Sequence, residues 1–197
     1  MARAPRLDEC LSHRDGLLHV EEVPVTALAA EFGSPLYVVS EDQLRRNVQR
    51  FARAFGGAWA RDGRGAVRIL PALKANWNLA VQRVLAEEGC GADVYSAGEL
   101  EIALRAGIDP ALISVNGVPK APEHIERSLA VGARLTIDSL EDVRVLAALA
   151  PSLSRPAKVR LRLRPAVSGF VRASDFVPEG PMPTDLACLG YKGGLSL

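Results

Sequence analysis

The feature that most restricts the fold of this 197-residue chain is a repeat of punctuation rather than of residues. From about Val67 an apolar run, VRILPALKA, gives way to a helix-patterned stretch over 78–88 that stops at Gly89. The exchange recurs in ADVYS from Ala92, with a helix over 98–106 stopped by Gly107. It recurs again in LISVNG from Leu112, with a helix over 122–130, and in RLTIDS from Arg134, with a helix over 140–149. KVRLRLRP from Lys158 closes the series. Successive runs begin roughly 20–25 residues apart, the length of one strand plus one crossover helix. Such alternation predicts an α/β fold with a parallel sheet.

Two architectures share that pattern, a doubly wound sheet and a (β/α)8 barrel. A dinucleotide-binding sheet carries a glycine fingerprint after its first strand, and LKANWNLA has none. A barrel takes about 250 residues, more than are present. The chain therefore either forms a small open sheet or stops before a (β/α)8 barrel closes. Residues 1–32 form a mixed segment ahead of these elements, with a short apolar stretch at 17–20 and a helix-like VPVTALAAEF. After Gly33-Ser34-Pro35, residues 36–39 (LYVV) read as a buried strand. Ser40 caps a helix carrying Leu44, Val48, Phe51 and Phe55 at helical spacing, ended by Gly56-Gly57. Beyond Pro165, residues 166–197 lose periodicity and become rich in proline and glycine. They read as a truncated tail, a long loop without its landing strand, or else as the disordered tail of a complete small domain.

Composition narrows the chemistry. Hydrophobic residues at 48% argue against disorder, and 24 basic residues against 23 acidic ones leave a net charge of +1. No polybasic run favours nucleic acid or a membrane surface. Cys10, Cys90 and Cys188, with His13, His19 and His124, lack metal-ligand spacing, so no metal site is expected. The N-terminus has no signal-like apolar core and no run is long enough to span a bilayer, which makes the cytoplasm the expected location. Only Lys74, Lys120, Lys158 and Lys192 are lysines. Chemistry that needs a deprotonatable amine has few places to occur, because arginine stays charged.

In parallel βα folds the chemistry gathers at the C-terminal ends of strands. Those ends are Lys74, Tyr95-Ser96, Asn116-Gly117, Asp138-Ser139 and the stretch 162–164. Lys74 follows the apolar ILPAL. Enclosed by apolar walls, its amine would lose its proton more readily and could form a Schiff base with a carbonyl. Alternatively it is a strand-end lysine extended into solvent. Asp93 lies inside a strand, unusual for an acid without a partner, and Glu99 sits in the first turn of a helix. A structural ion pair and a helix-end charge are their simpler readings. Arg160, Arg162 and Arg164 alternate on one face, either toward a barrel interior, where they would meet Asp93 or an anionic ligand, or along an exposed edge.

The motifs PLYVVSEDQLRRNVQRF, ALKAN, GADVYSAGEL, ISVNGVPK, TIDSLEDV and KVRLRLRP, in that order, resemble group IV amino-acid decarboxylases. These are pyridoxal-phosphate enzymes acting on diaminopimelate, ornithine or arginine, with an alanine-racemase-like barrel. The resemblance runs from about Gly33 to Pro165 and implies an incomplete (β/α)8 barrel over 33–165, with LYVV before it and about five of eight strands present, the first at VRILPAL. It implies that Lys74 holds pyridoxal 5'-phosphate, that Asp93 and Glu99 are the two acids near the cofactor, and that Arg162 is the fifth-strand arginine ordering the site. It also implies an amino-acid substrate, and a homodimer with its site at the interface. The family's ring-stacking histidine, phosphate-gripping glycine loop and pyridine-pairing glutamate would lie beyond this N-terminal part. Decarboxylation, diaminopimelate-like or of a basic amino acid, is then the activity of the parent enzyme. The other readings are a non-catalytic module that binds the cofactor or docks a partner, and a racemase on the same barrel.

Overall fold

The computed structural model describes residues 9–60, 67–154, 156–164 and 195–196. Two strands, β1 (Leu11–Arg14) and β2 (Leu17–Val20), form an antiparallel hairpin, and β3 (Val23–Pro24) pairs on the other side of β2. Asp15 and Gly16 make the two-residue turn at positive φ, 50° and 79°. An Asp-Gly pair suits such a turn because glycine has no Cβ to clash there. Helix α1 (Val25–Phe32) follows and then α2 (Glu41–Ala60), whose N-terminus Ser40 caps by accepting from the Gln43 N–H at 2.9 Å.

Helix α2 runs through Gly56-Gly57 rather than ending there. Glycine weakens a helix without blocking its hydrogen bonds, and Ala54, Ala58 and Ala60 near the pair are strong helix formers. Residues 36–39 depart further from expectation. They form no strand, and Tyr37 is wholly exposed, with Leu36, Val38 and Val39 also exposed. A strand needs a neighbour to take its backbone groups, and none among the described residues pairs with this segment.

The main sheet has the order β4 (Ala92–Val94), β5 (Ile113–Val115), β6 (Arg134–Ile137), β7 (Val159–Leu161), every pair parallel. Residues 67–72 lie beside β4: Gly91 and Asp93 donate to the carbonyls of Ile69 and Pro71, at 2.9 and 3.0 Å, and Ala72 bridges to Asp93. Pro71 has no N–H to return, so this first member is extended chain with one bridge rather than a full strand. Helices α3 (Leu79–Glu87), α4 (Ala97–Arg105), α5 (Pro122–Val131) and α6 (Leu140–Leu149) occupy the connections. Spatial order follows chain order without reversal, as in a barrel wall, whereas a doubly wound sheet reverses at a switch point.

Beyond β7, the Arg162 N–H donates to the Ile137 carbonyl, and β8 (Leu163–Arg164) pairs in parallel with β9 (Leu195–Ser196). The expected loop thus does have the start of a landing strand, a sixth member beside the fifth. The remainder of the tail, including Cys188 and Lys192, lies outside the described residues.

Alternation sorts the sheet's two faces. Ala92, Val94, Ile113, Val115, Leu135 and Ile137 pack with Leu100, Ala103, Ile125 and Leu129 of the helices in one buried cluster. Asp93, Ser114, Thr136 and Arg160 take the intervening positions. Among the described residues no helix is long and apolar enough to cross a membrane.

Candidate functional site

Two βα junctions share one device that fixes the strand ends. Ser96 caps α4, its Oγ accepting from the Glu99 N–H at 3.2 Å, and Ser139 caps α6, accepting from the Asp142 N–H at 3.2 Å. In each, the acid reaches back over the cap: Glu99 Oε2 takes the Tyr95 N–H at 2.6 Å and Asp142 Oδ2 the Asp138 N–H at 2.9 Å. This is close to a capping box, which satisfies helix-end donors from both directions. Glu99, predicted near a cofactor, therefore already has a local task.

Lys74 lies in a 3-10 turn, Leu73–Ala75, at the C-terminal end of the first sheet member. Leu73 is buried beneath it, while Gln82 Nε2 donates to the Asn76 carbonyl at 2.6 Å and Asn76 Oδ1 accepts from the Asn78 N–H at 3.0 Å. The loop after Lys74 is thus tied to α3. Lys74 itself is exposed, without a hydrogen bond or ion pair to any described residue. The apolar enclosure expected around it is not formed by these residues. They build a single arc of wall, and Trp77 and Tyr95 beside it are exposed too.

Asp93 is half-buried and accepts a short hydrogen bond from Asn116 Nδ2, which also donates to Ser114 Oγ at 3.3 Å. The arginine ladder does not meet Asp93. Arg160 Nη1 reaches Ser114 Oγ at 3.4 Å, and Arg162 Nη1 donates to Asp138 Oδ1 at 2.9 Å. Asp93 is already engaged by the neighbouring strand end, and Asp138 stands nearer to the arginines on the adjacent strand.

Sequence reasoning missed Lys120 and Asp142. The Lys120 ammonium is fully buried between Asp138 Oδ2 at 2.7 Å and Asp142 Oδ2 at 3.0 Å. A lysine ahead of a helix and an acid in a helix's first turn look like ordinary surface charges, and nothing local signals that they meet. His124 on α5 is buried with neither ring nitrogen partnered among the described residues. Desolvation, helped by the Lys120 ammonium and opposed by Glu99, lowers its pKa below the usual histidine value.

The rim thus offers one unengaged primary amine, a carboxylate on the next strand and a guanidinium further along. Lys158 stands at the opposite end of the sheet, just before β7, and Lys120 is locked between carboxylates. Among the described lysines only Lys74 joins a free amine to a strand-end position. That donor set fits an aldehyde cofactor carrying acidic groups.

Residues 41–173 match the family model of the pyridoxal-dependent decarboxylases, pyridoxal binding domain. The diaminopimelate decarboxylase of Zymomonas mobilis is 39% identical over 82% of this chain, and that of Archaeoglobus fulgidus is 36% identical over 79%. The chain spans only 38% and 35% of their lengths. A crystal structure of diaminopimelate decarboxylase from M. jannaschii superposes with a TM-score of 0.84 at 31% identity, covering 97% of this chain and 42% of that one. A lysine/ornithine decarboxylase from Vibrio vulnificus, complexed with cadaverine, gives a TM-score of 0.56 at 25% identity, covering 70% of this chain and 35% of that one.

Proposed function

The chain belongs to the pyridoxal-dependent decarboxylases, carrying their pyridoxal binding domain, and from that premise we propose that it contributes the cofactor lysine and part of the cofactor wall to an enzyme that decarboxylates an amino acid. Diaminopimelate is the favoured substrate, because the curated relatives quoted above carry that activity in their names. The observation that carries the reading is Lys74, a free amine at a strand end.

Pyridoxal phosphate, when bound, supplies an aldehyde for amines and a ring that accepts the electron pair left as carbon dioxide departs. The chain's own residues supply the setting. Lys74 Nζ offers the attachment point and takes up or gives back a proton there as the substrate amine enters and leaves. Asp93, held by Asn116, places negative charge one strand away. Arg162, tethered through a single Nη1, keeps its other donors for an anionic group in the site. Glu99 anchors the end of β4 through the Tyr95 N–H. As in the family that the sequence resembles, the working unit is a homodimer with the site at its interface.

Borohydride trapping tests the reading. The chain is incubated with pyridoxal phosphate, reduced, and the modified lysine mapped by mass spectrometry, with Lys74→Ala as control. Stoichiometric label on Lys74, sparing Lys120, Lys158 and Lys192, is expected. Label scattered over all four lysines, or none, overturns the assignment of Lys74.

A further inference from the structure

The buried charges around Lys120 have no part in the site as described, yet they lie on its rim. Lys120 leaves the loop after β5, Asp138 follows β6, Asp142 stands in the first turn of α6 and Arg162 follows β7, so the group spans three successive strand ends. The Lys120 and Asp138 side chains are 0% exposed and that of Asp142 5%, whereas Arg162 keeps 39%.

We propose that Lys120 is a positioning residue for Arg162: by holding Asp138, it fixes the guanidinium at the strand-end rim with its remaining donors facing the site. The proposal rests on the reading of Arg162 as a site residue. Its basis is the division of Asp138 between two cations, Oδ2 taking Lys120 at 2.7 Å and Oδ1 taking Arg162 at 2.9 Å. With both oxygens assigned, the carboxylate plane has one orientation, and so does the arginine bonded to it. Asp142 completes the clamp, since its Oδ2 binds both the Lys120 ammonium and the Asp138 N–H.

Stability alone accounts poorly for this arrangement. Burying an ammonium carries a desolvation cost that Coulomb attraction often only balances, and apolar replacements of buried ion pairs are frequently as stable. The N-terminus of α6 is already secured by Ser139. What the charges add is direction. Without the ammonium, two carboxylates would face each other across the space it fills, and Asp138, no longer held through Oδ2, would turn and cease to present Oδ1 to Arg162 in one orientation.

The test uses the full chain labelled with 15N-arginine. The Arg162 guanidinium signal, identified by its loss in Arg162→Lys, is compared between wild type and Lys120→Met. In wild type slow exchange with water is expected; in Lys120→Met it should quicken about tenfold while the circular dichroism spectrum is unchanged. An unchanged signal overturns the proposal. Pyridoxal phosphate affinity supplies a second arm: Lys120→Met and Arg162→Lys should each weaken binding about tenfold, and the double variant no more than Arg162→Lys alone. Additive losses would show that Lys120 acts without Arg162 and also overturn it. Should Lys120→Met fail to fold, the isosteric Asp142→Asn carries both comparisons with the same expected direction. If wild type binds no pyridoxal phosphate, the proposed function fails, and the guanidinium signal still decides the role of Lys120.

Discussion

Gly117 shows how much one position on the rim constrains. Its φ is +106°, and a Cβ built there would lie 2.6 Å from the Tyr95 ring, whose hydroxyl donates to the Val118 carbonyl at 2.7 Å. Gly117→Ala should therefore destabilise the chain by about 1–3 kcal/mol, from backbone strain plus overpacking. In a Tyr95→Ala background the same change should cost less, only the backbone part remaining; urea denaturation of the four proteins reads both. His124 gives a prediction in pH. A histidine buried neutral has a folded pKa below its unfolded value of about 6.5, so the unfolded chain binds the proton first. Its contribution is complete above about pH 6.5 and is lost as pH falls below that value toward the folded pKa. His124→Leu should flatten this part of the profile, measured as urea midpoints across the acid range, and parallel profiles would contradict the assignment. These residues also mark how far the sequence could be read. Lys74 was legible because lysines are few and it ends an apolar strand. Lys120 was not, because its partners lie 18 and 22 residues away and only the fold brings them together.

Helices α2 and α3 are joined by one arginine. Arg45 binds Glu41 within its own helix and reaches Glu87 and Glu88 at the end of α3, and Gln49 adds a bond to Glu88 at 3.1 Å. The guanidinium holds the Glu88 carboxyl below its usual pKa, so this contribution is present above the ordinary glutamate range and lost as pH falls through the lowered value. Arg45→Met should lower the melting temperature, and the gap from wild type should narrow in high salt because exposed charges are screened. A salt-independent gap would assign the effect to packing of the side-chain stem instead. At this scale the strand–helix rhythm was legible because Gly89 and Gly107 end helices and Ser96 and Ser139 start them, all short-range signals. The β1–β2 hairpin is signalled only by Asp15-Gly16 between two four-residue runs, of which just 17–20 is apolar enough to stand out. Residues 36–39 mislead for the opposite reason. Their composition is that of a strand, but pairing belongs to two segments, and no partner stands among the described residues.

Most of the described residues build a parallel sheet with helices packed on one face and a polar row, from Asp93 to Arg162, on the other. The described helices leave part of the apolar surface in water. Leu36, Tyr37, Val38 and Val39 are exposed, as are Val159, Leu161 and Leu163 at the far side of the sheet, and no described strand pairs beyond residues 67–72. An unpaired edge presents free backbone donors and acceptors to any neighbouring chain. At about 25 cal/mol per Å2, a few hundred Å2 of wet apolar surface is worth several kcal/mol, a large part of the roughly 5–15 kcal/mol that stabilises a domain. The 197-residue chain on its own should therefore associate as its concentration rises, with a sedimentation coefficient that grows and a broadened melt. Tyr37→Ser with Val39→Thr removes apolar area where no described residue pairs, so the double variant should associate less while keeping the helical content of wild type. A monomer at every concentration with a sharp, reversible, cooperative melt would mean instead that the arc is self-sufficient. Its polar face would then be a finished surface, already shaped to receive a cofactor at Lys74, rather than one wall of a larger enclosure.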